Sequence, residues 1–396
     1  MISYTKYNLV NDLGFVKTGV DDYSCIKKYF STGSIKKSKF IPEGSYDYKS
    51  RPSRANREVS EGDVLQARMQ NTNKIILVDK ELHGNLFSTG FFQFRPPKEL
   101  VVPKYLYYLL SSDFFLKRKD ELCGGAIQKA INDKNLSKID IFLPPLKEQQ
   151  RIVTKLDAAF AEIDKVIEFY EDSASNAKDF LLQVRASRIS ELLNSSQKVK
   201  LGSLASLKNG LNYNKSEKGY AIKILGVGDF GNKFSTDSKG LQVIETSSPV
   251  STDYHLEHGD IVFVRSNGNK QLIGRSIVIQ NPDEIVTFSG FCIRCRIETE
   301  DILPVFLCHY LKSSVVRDKL TSGGIGANIS SLNQKMLADI DVPILSEHEQ
   351  ISLIRWIEKL ENGFKNVFEI LVKKVQLMNK LKSTILKQEL QPSEAA

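Results

Sequence analysis

The chain has 396 residues, 55 basic and 47 acidic, which gives a formal net charge of +8 at pH 7. Its 41% hydrophobic and 26% charged residues are typical of folded globular proteins, and the length suggests two or three domains. No run approaches the ~18 apolar residues of a membrane span, the N-terminal residues lack an apolar signal region, and the five scattered cysteines favour reduced thiols in a cytoplasm. These features exclude secreted, membrane-spanning and disulfide-stabilised proteins.

Positive charge is concentrated near the start of the chain. Residues 1–145 carry 23 basic and 16 acidic side chains, or +7, and residues 24–57 alone carry nine basic against two acidic ones. Such a stretch predicts a surface that faces a polyanion, because each neutralised phosphate releases a counterion. The alternative is a solvated loop rich in lysine. The candidate contacts in this stretch are Lys36, Lys37, Lys39, Arg51, Arg54 and Arg57.

The chain contains an internal repeat of about 200 residues. Six short motifs recur in the same order at offsets between 197 and 201 residues. The pairs begin at Gly62 and Gly259, Ser88 and Phe288, Pro103 and Pro304, Gly124 and Gly323, Ile139 and Ile340, and Glu148 and Glu349. Each repeat predicts β-strands first, then a short helix with proline in its first turn, and finally a long stretch almost without glycine or proline.

The two long stretches have the period of a coiled coil. Apolar residues follow one another at steps of three and four, and the second stretch keeps this register apart from Glu361. The predicted seam consists of Ile152, Leu156, Phe160, Ile163, Ile167, Tyr170, Leu181, Ile354, Ile357, Phe364, Leu371, Val375 and Met378. Pro144-Pro145 precedes the first helix, and Ser346-x-x-Glu349 predicts a capping box at the second.

These patterns together predict an α+β fold. Two globular mixed α/β domains, at residues 1–145 and 197–343, are separated by two long coiled-coil helices, at 146–196 and 344–396. The helices are expected to run antiparallel, because the first leads towards the second domain and the other must run back along it. The internal repeat then makes the two halves related by a pseudo-twofold axis.

The doubled pattern resembles the specificity subunit of type I restriction–modification systems. The resemblance rests on Leu143-Pro-Pro-Leu-Lys-Glu-Gln-Gln-Arg-Ile and Val342-Pro-Ile-Leu-Ser-Glu-His-Glu-Gln-Ile at the helix starts, on Val199-Lys-Leu-Gly-Ser-Leu, and on Gly259-Asp-Ile-Val-Phe-Val-Arg. It covers essentially the whole chain. It implies two target-recognition domains, each of which reads half of a bipartite, asymmetric site in double-stranded DNA.

The same resemblance implies partners. The helices would dock two methyltransferase subunits, and restriction subunits would join that core. S-adenosylmethionine, ATP and Mg would then act in the partner subunits, with no cofactor or metal in this chain. We also keep two alternatives from other classes: a self-contained DNA-modifying enzyme with an unrecognised site, and a coiled-coil scaffold that binds only proteins.

Polar loops after predicted strands are the candidates for reading DNA. Arginine and lysine suit guanine, and asparagine and glutamine suit adenine. Such loops also occur as ordinary solvated hairpins. In the first repeat the candidates are Arg68, Asn71, Asn73, Lys74, Gln128 and Lys129; in the second they are Lys208, Asn209, Asn212, Asn214, Lys215, Arg265, Asn267, Asn269, Lys270 and Asn328.

Two further patterns suggest catalysis or metal binding only superficially. Gly226-Val-Gly-Asp-Phe-Gly231 fits a dinucleotide fingerprint and follows a predicted strand, but the residues after it do not predict the helix that a pyrophosphate needs. Cys292-x-x-Cys295 lacks the second pair of ligands of a zinc site. The sequence therefore predicts a non-catalytic DNA-recognition protein.

Overall fold

The computed structural model describes residues 3–36, 39–125, 129–214, 216–231, 233–321 and 331–390. The chain forms two compact units. Unit 1 comprises residues 1–171 and 372–396, and unit 2 comprises residues 172–371. Each unit therefore contains one of the sequence repeats together with part of both long helices.

Unit 1 is built from short sheets and helices. Its strands are β1 (Thr5–Asn8), β2 (Lys27–Phe30), β3 (Ile35–Lys36), β4 (Lys39–Phe40), β5 (Gly44–Tyr46), β6 (Ala55–Glu58), β7 (Val64–Ala67), β8 (Ile75–Leu77), β9 (Leu86–Ser88), β10 (Phe91–Phe94) and β11 (Asp140–Leu143). Its helices are α1 (Leu9–Asp12), α2 (Pro103–Ser111), α3 (Asp113–Glu121), α4 (Asp133–Leu136) and the first part of α5 (Leu146–Ser195). The sheets have the strand orders β10-β7-β8, β5-β2-β9-β6, β1-β11 and β3-β4.

Unit 2 repeats this plan. Its strands are β12 (Lys198–Lys200), β13 (Ala205–Asn209), β14 (Tyr220–Leu225), β15 (Ser235–Thr236), β16 (Gln242–Thr246), β17 (Ile261–Val264), β18 (Ser276–Ile279), β19 (Val286–Phe288), β20 (Cys292–Ile297) and β21 (Asp341–Pro343). Its helices are α6 (Pro304–Leu311), α7 (Ser314–Thr321), α8 (Gln334–Ala338) and the first part of α9 (Glu347–Leu390). The strand orders are β13-β20-β17-β18-β15, β16-β14-β19 and β12-β21.

The two units share one framework. Strand β7 pairs antiparallel with β10 and β8, and β17 pairs antiparallel with β20 and β18. The parallel pair β2–β9 corresponds to β14–β19. The Gly-Asp turns match as well, because buried Asp63 pairs with Arg95 at 2.9 Å and buried Asp260 pairs with Arg296 at 2.7 Å. The repeat seen in the sequence is therefore a repeat of structure.

Each long helix begins where the sequence predicts. Ser346 Oγ accepts a hydrogen bond from the Glu349 amide, and Glu349 in turn accepts from the Ser346 amide at 2.8 Å, so the predicted capping box is confirmed. One turn into each helix, buried Gln149 and Gln350 accept from the amides of Val102 and Leu303 at 2.9 and 2.8 Å. These glutamines attach the helix starts to the amides just before α2 and α6.

The long helices pair antiparallel within each unit. In unit 1, Lys155 binds Glu389 at 2.7 Å and Lys382 binds Asp164. In unit 2, the rings of Phe180 and Phe364 lie 6.2 Å apart and Arg185 binds Glu361, which accounts for the polar interruption of the heptads.

The predicted seam residues are all buried or half-buried, namely Ile152, Leu156, Phe160, Ile163, Ile167, Tyr170, Leu181, Ile354, Ile357, Phe364, Leu371, Val375 and Met378. The fold class is thus confirmed, whereas the domain limits stay a prediction. In the described parts of the chain, no helix is both long enough and apolar enough to cross a membrane.

Candidate nucleic-acid interface

The loop that follows β7 carries four of the candidates in unit 1. Arg68 begins it, and its amide donates to Gly90 O at 2.9 Å. The guanidinium donates from Nε to Phe91 O at 3.1 Å and from Nη1 to Ile131 O at 3.1 Å, and its Nη2 binds Asp133 at 2.6 Å. The Arg68 side chain is therefore engaged within the unit and fixes the base of the loop.

A buried lysine holds the rest of this loop. Lys119 on α3 is 0% exposed, and its ammonium donates to the carbonyls of Met69 and Thr72 at 3.0 and 2.8 Å. Asp120 accepts from the Asn71 amide at 3.1 Å. Burial lowers the pKa of Lys119, while Asp120 opposes that effect. The charged side chain of Lys119 therefore holds the backbone of loop 68–73 in place.

The side chains at the top of the loop face solvent. Asn71, which has a positive φ of 56°, and Asn73 are exposed, so their amides are available to base edges. Lys74 is half-buried and its ammonium donates to Thr32 O at 2.6 Å. Exposed Lys129 accepts through its carbonyl from the Gln70 amide at 2.9 Å, which brings this predicted contact next to the loop.

The basic stretch 24–57 divides into exposed and buried members. Lys39 and Arg54 are exposed, and Arg51 lies over the Tyr48 ring at 4.5 Å. Arg57 is only 1% exposed and donates to Val16 O at 2.9 Å and Thr18 Oγ1 at 2.8 Å. Burial lowers the pKa of Arg57 to about 10, so the guanidinium stays charged at neutral pH. Arg57 therefore lies in the core of unit 1 and not on the surface predicted to face DNA.

In unit 2 the loop after β17 is mounted on the corresponding turn. The Arg265 amide donates to Phe291 O at 2.8 Å, and Arg265 Nη1 donates to Gly290 O at 3.3 Å. The predicted contacts Lys208 and Asn209 lie in strand β13 rather than in a loop. Residues 210–214, which follow β13, meet the same turn, because the Gly290 amide donates to Leu211 O at 2.7 Å. A Cβ at Gly290 would lie 1.9 Å from Asn212 Oδ1, so only glycine permits exposed Asn212 to rest there. The structure therefore brings Arg265 and Asn212 together.

The tip of this loop is held by its own side chains. Asn267 Oδ1 accepts from the Asn269 amide at 2.8 Å, and Asn269 Oδ1 accepts from the Gln271 amide at 3.1 Å. These are local turns of the kind that asparagine favours. Asn269 is exposed and Asn267 is half-buried.

The remaining candidates of unit 2 differ in their surroundings. Lys208 pairs with Asp253 at 3.0 Å and lies 4.5 Å from the centre of the Tyr254 ring. Asn209 is half-buried at the end of β13, and Asn214 is exposed and caps a turn at Ser216. Six predicted contacts fall outside the described residues or have side chains outside the description: Lys36, Lys37, Gln128, Lys215, Lys270 and Asn328.

One exposed aromatic residue was missed by the sequence reasoning. Phe291 follows Gly290 directly and is 62% exposed beside Arg265. An aromatic residue beside Gly290 at the start of a strand was the available signal, but the sequence does not tell which face of the strand is covered. Its exposure places an apolar side chain among the polar candidates.

The three buried thiols of unit 2 offer no reactive group. Burial raises the pKa of Cys292, Cys295 and Cys308 to about 12, so these residues remain protonated at neutral pH and are poor nucleophiles. Within the described residues, no group of three or more histidine, cysteine, aspartate or glutamate side chains is placed to hold a metal ion. The chemistry that these loops offer is hydrogen bonding and charge.

The sequence of the chain is similar to those of known proteins. Residues 20–168 match the family model for the type I restriction modification DNA specificity domain. The chain is 26% identical over 319 residues to the type I restriction enzyme StySPI specificity subunit of Salmonella potsdam, covering 76% of this chain and 68% of that protein. It is 24% identical over 326 residues to the EcoKI specificity subunit of Escherichia coli K12, with the same two coverages.

The fold has a counterpart among solved structures. A chain from a study of the complex assembly and conformational transition of the type I R-M system aligns with a TM-score of 0.71 at 19% identity, over 99% of both chains. This likeness shows a shared fold along the whole length of the chain.

Proposed function

We propose that the chain is a specificity subunit of a type I restriction enzyme, a protein that recognises DNA, and that each of its two units reads one half of a bipartite, asymmetric site. The proposal rests on one observation: both units attach the loop that follows β7 or β17 to the framework in the same way. Arg68 and Arg265 directly follow the equivalent strands β7 and β17, and the amide of each donates to a carbonyl of the matching turn, Gly90 O in unit 1 and Phe291 O in unit 2. Two equivalent loops with different side chains suit two different half-sites.

The proposed DNA contacts are candidates whose side chains reach the surface. In unit 1 they are the exposed Lys39, Arg54, Asn71, Asn73 and Lys129; in unit 2 they are the exposed Asn212, Asn214 and Asn269 and the half-buried Arg265 and Asn267. Arg57 and Arg68 are left out of this set, since their guanidinium groups already bind within unit 1. Arginine and asparagine would read bases, and the lysines would bind phosphates.

The long helices supply the proposed docking surface for two methyltransferase subunits, and restriction subunits would join that core. Both helices carry exposed large apolar side chains outside the seam, including Phe169, which is 66% exposed, and Ile370, which is 58% exposed. Exposed apolar groups of this size are typical of protein interfaces. In this proposal the chain is non-catalytic and acts in the cytoplasm, and the methyl donor S-adenosylmethionine, ATP and Mg are bound by the partners.

The test is a map of methylated adenines after co-expression of the chain with the methylating partner of the same system. We expect two short motifs at a fixed spacing. Arg265→Ala should change or lose specificity in one motif only, because a bidentate contact to guanine discriminates by about 1–3 kcal/mol. Arg118→Ala, which removes an exposed arginine from α3 of unit 1, is the matched control and should leave both motifs unchanged.

Other results would contradict the proposal. If Arg265→Ala altered neither motif, or both, the unit 2 loop would not read a half-site. Methyl transfer to DNA by the purified chain without any partner would favour a self-contained enzyme. Absence of DNA binding even at low salt, where phosphate contacts are strongest, would favour a protein scaffold.

A further inference from the structure

Unit 2 contains a small basic pocket, none of whose lining residues is among the predicted DNA contacts. The cavity has a volume of about 210 Å³, and four of the residues that line it are Lys233, Arg275, Lys312 and Arg317. Phe230, Gly231 and Ser276 complete the lining. Lys233, Arg275 and Lys312 would repel one another around so small a space unless an anion lay between them.

Neutral oxygens position these cations. Lys312 Nζ donates to Lys233 O at 2.9 Å and Ser276 O at 3.0 Å, and Arg275 Nη1 donates to Gly231 O at 2.9 Å. Among the ion pairs of the described residues, none joins Lys233, Arg275 or Lys312 to a carboxylate. Glu361, the carboxylate whose charge acts on Lys312, already pairs with Arg185. Within the described residues, the charges of Lys233, Arg275 and Lys312 are therefore not neutralised by a carboxylate.

The electrostatics of Lys312 agree with this account. Burial lowers the pKa of Lys312, and the neighbouring charges of Arg185 and Arg275 lower it further, while Glu361 opposes them. A bound anion would offset both the burial and the repulsion.

The glycine-rich motif that resembled a dinucleotide fingerprint forms one wall of the pocket. Gly231 adopts a positive φ of 46°, which favours glycine, and this conformation accompanies the hydrogen bond from Arg275 to its carbonyl. Only Val227–Asp229 of the motif form a helical turn, a single 3-10 turn, and buried Phe230 follows it. It thus contributes a backbone wall for side-chain cations rather than a helix terminus for a dinucleotide.

The pocket belongs to the same hairpin as the reading loop of unit 2. Arg275 precedes β18, and its carbonyl accepts from the amide of Val264, the last residue of β17. Arg317 Nη2 donates to Gln271 O at 3.3 Å, just after the loop 265–270. A polyanion that touches this loop therefore passes close to the pocket.

We propose that this pocket binds a phosphate group, and that in the DNA complex this group is a backbone phosphate next to the half-site read by loop 265–270. The inference rests on the proposed function. Arginine and lysine form strong charge-assisted hydrogen bonds to phosphate oxygens. Such a contact fixes the register of the protein on the duplex without reading a base.

The test measures how the binding of the full chain to a random-sequence DNA duplex depends on salt. The double variant Lys233→Gln with Arg275→Gln should bind more weakly, and the slope of log K against log salt should fall by about 0.9, the value for one lost phosphate contact. Arg355→Gln with Lys359→Gln, two exposed cations of α9 in unit 2, makes the same charge change and should leave the slope unaltered.

A second arm distinguishes DNA phosphate from free phosphate. The melting temperature of the full chain is measured with and without inorganic phosphate at constant ionic strength, for the wild type and for the pocket variant. A phosphate-dependent rise that the pocket variant lacks, together with an unchanged salt slope, would overturn DNA as the source and identify a free-phosphate site. If both arms left the variant like the wild type, the pocket would not bind phosphate.

The two arms also separate this inference from the proposed function. Failure of the wild-type chain to bind DNA would refute the function, whereas the phosphate arm would still test the pocket. Wild-type DNA binding with an unaltered slope in the pocket variant, and with no phosphate-dependent rise in melting temperature, would refute the inference and leave the function standing.

Discussion

The candidate DNA-reading loops, residues 68–73 and 265–270, follow equivalent strands of the two units. Different residues hold each loop in its conformation. In unit 1, Lys119 and Asp120 on α3 fasten loop 68–73 through its backbone. In unit 2, the position equivalent to Lys119 is Leu320, a buried apolar residue of α7, and loop 265–270 is held chiefly by its own asparagines. The loops therefore have the same origin on the framework and different support beneath them.

This difference shows where the repeat has been free to diverge. The strands, the Gly-Asp turns and the glutamines at the helix starts make the same contacts in both units. The residues that support or form the loops do not. A framework held by buried hydrogen bonds can carry loops of different sequence, which is the arrangement that two unrelated half-sites require.

Among the substitutions that test this difference, removal of Lys119 should have the largest effect on stability. Lys119→Met leaves two or three loop carbonyls without their charged donor, and we expect a loss of about 2–4 kcal/mol in the free energy of unfolding. The amides of loop 68–73 should also lose protection against hydrogen exchange. Urea unfolding and exchange measurements on the full chain check both effects.

The matched control is the equivalent position of unit 2. Leu320→Met nearly conserves volume in an apolar site and should cost less than about 1.5 kcal/mol, with unaltered exchange in loop 265–270. Equal losses in the two variants would mean that Lys119 does not give loop 68–73 its special support.

Acid should lower the stability of unit 2 through His309, an effect that has no equivalent in unit 1. We expect this effect to be smaller than that of Lys119→Met. His309 on α6 is buried and stacks on Phe234 at 4.2 Å, whereas the equivalent residue of α2 is Tyr108, which donates to Asp157. Burial, with help from the charges of Arg185 and Lys312, lowers the pKa of His309 to about 3. The folded protein therefore keeps this imidazole neutral at pH values where the unfolded chain, with a pKa of about 6.5, binds a proton.

Stability from His309 is complete above pH 6.5 and is lost as the pH falls towards 3. Since one pKa unit corresponds to about 1.4 kcal/mol, unfolding free energy should drop by about 2 kcal/mol between pH 6.5 and 5. His309→Phe should remove that part of the pH dependence, which urea unfolding at several pH values would reveal. The same slope in the variant would assign the acid sensitivity to other groups.

Local sequence patterns predicted the helices and strands of the framework. Tertiary contacts decided which basic side chains are buried and which are exposed. The heptads, the prolines that open α2 and α6, and the Ser346 cap follow from spacing within a few residues, so the sequence predicted them. The engagement of Arg57 and Arg68 and the role of Lys119 depend on which distant carbonyls are left without donors. No spacing in the sequence encodes those partners, and so basic residues of the core and of the surface looked alike.

The smallest expected effect concerns the aromatic residue of the shared turn. Phe91 in unit 1 is fully buried, with its ring 6.0 Å from that of Phe87. Phe291 follows the matching glycine in the sequence motif, but the strand register places buried Cys292 opposite Val264, where unit 1 has Phe91 opposite Ala67, so Phe291 lies one residue before the strand and is 62% exposed beside Arg265. An exposed ring gains little stability from folding but can contact a thymine methyl or a sugar. Phe291→Ala should therefore leave unfolding free energy within about 0.5 kcal/mol of the wild type. It should weaken binding to a duplex carrying the mapped site by about 1 kcal/mol, close to fivefold, since apolar base contacts belong to the weaker end of specific readout.

Titration of that duplex, with a second duplex altered only in the unit 1 half-site, checks the location of the effect: the loss should be the same on both. If Phe291→Ala instead destabilised the fold and bound DNA normally, the turn of unit 2 would be a core element like that of unit 1, and the divergence between the units would be confined to the loops.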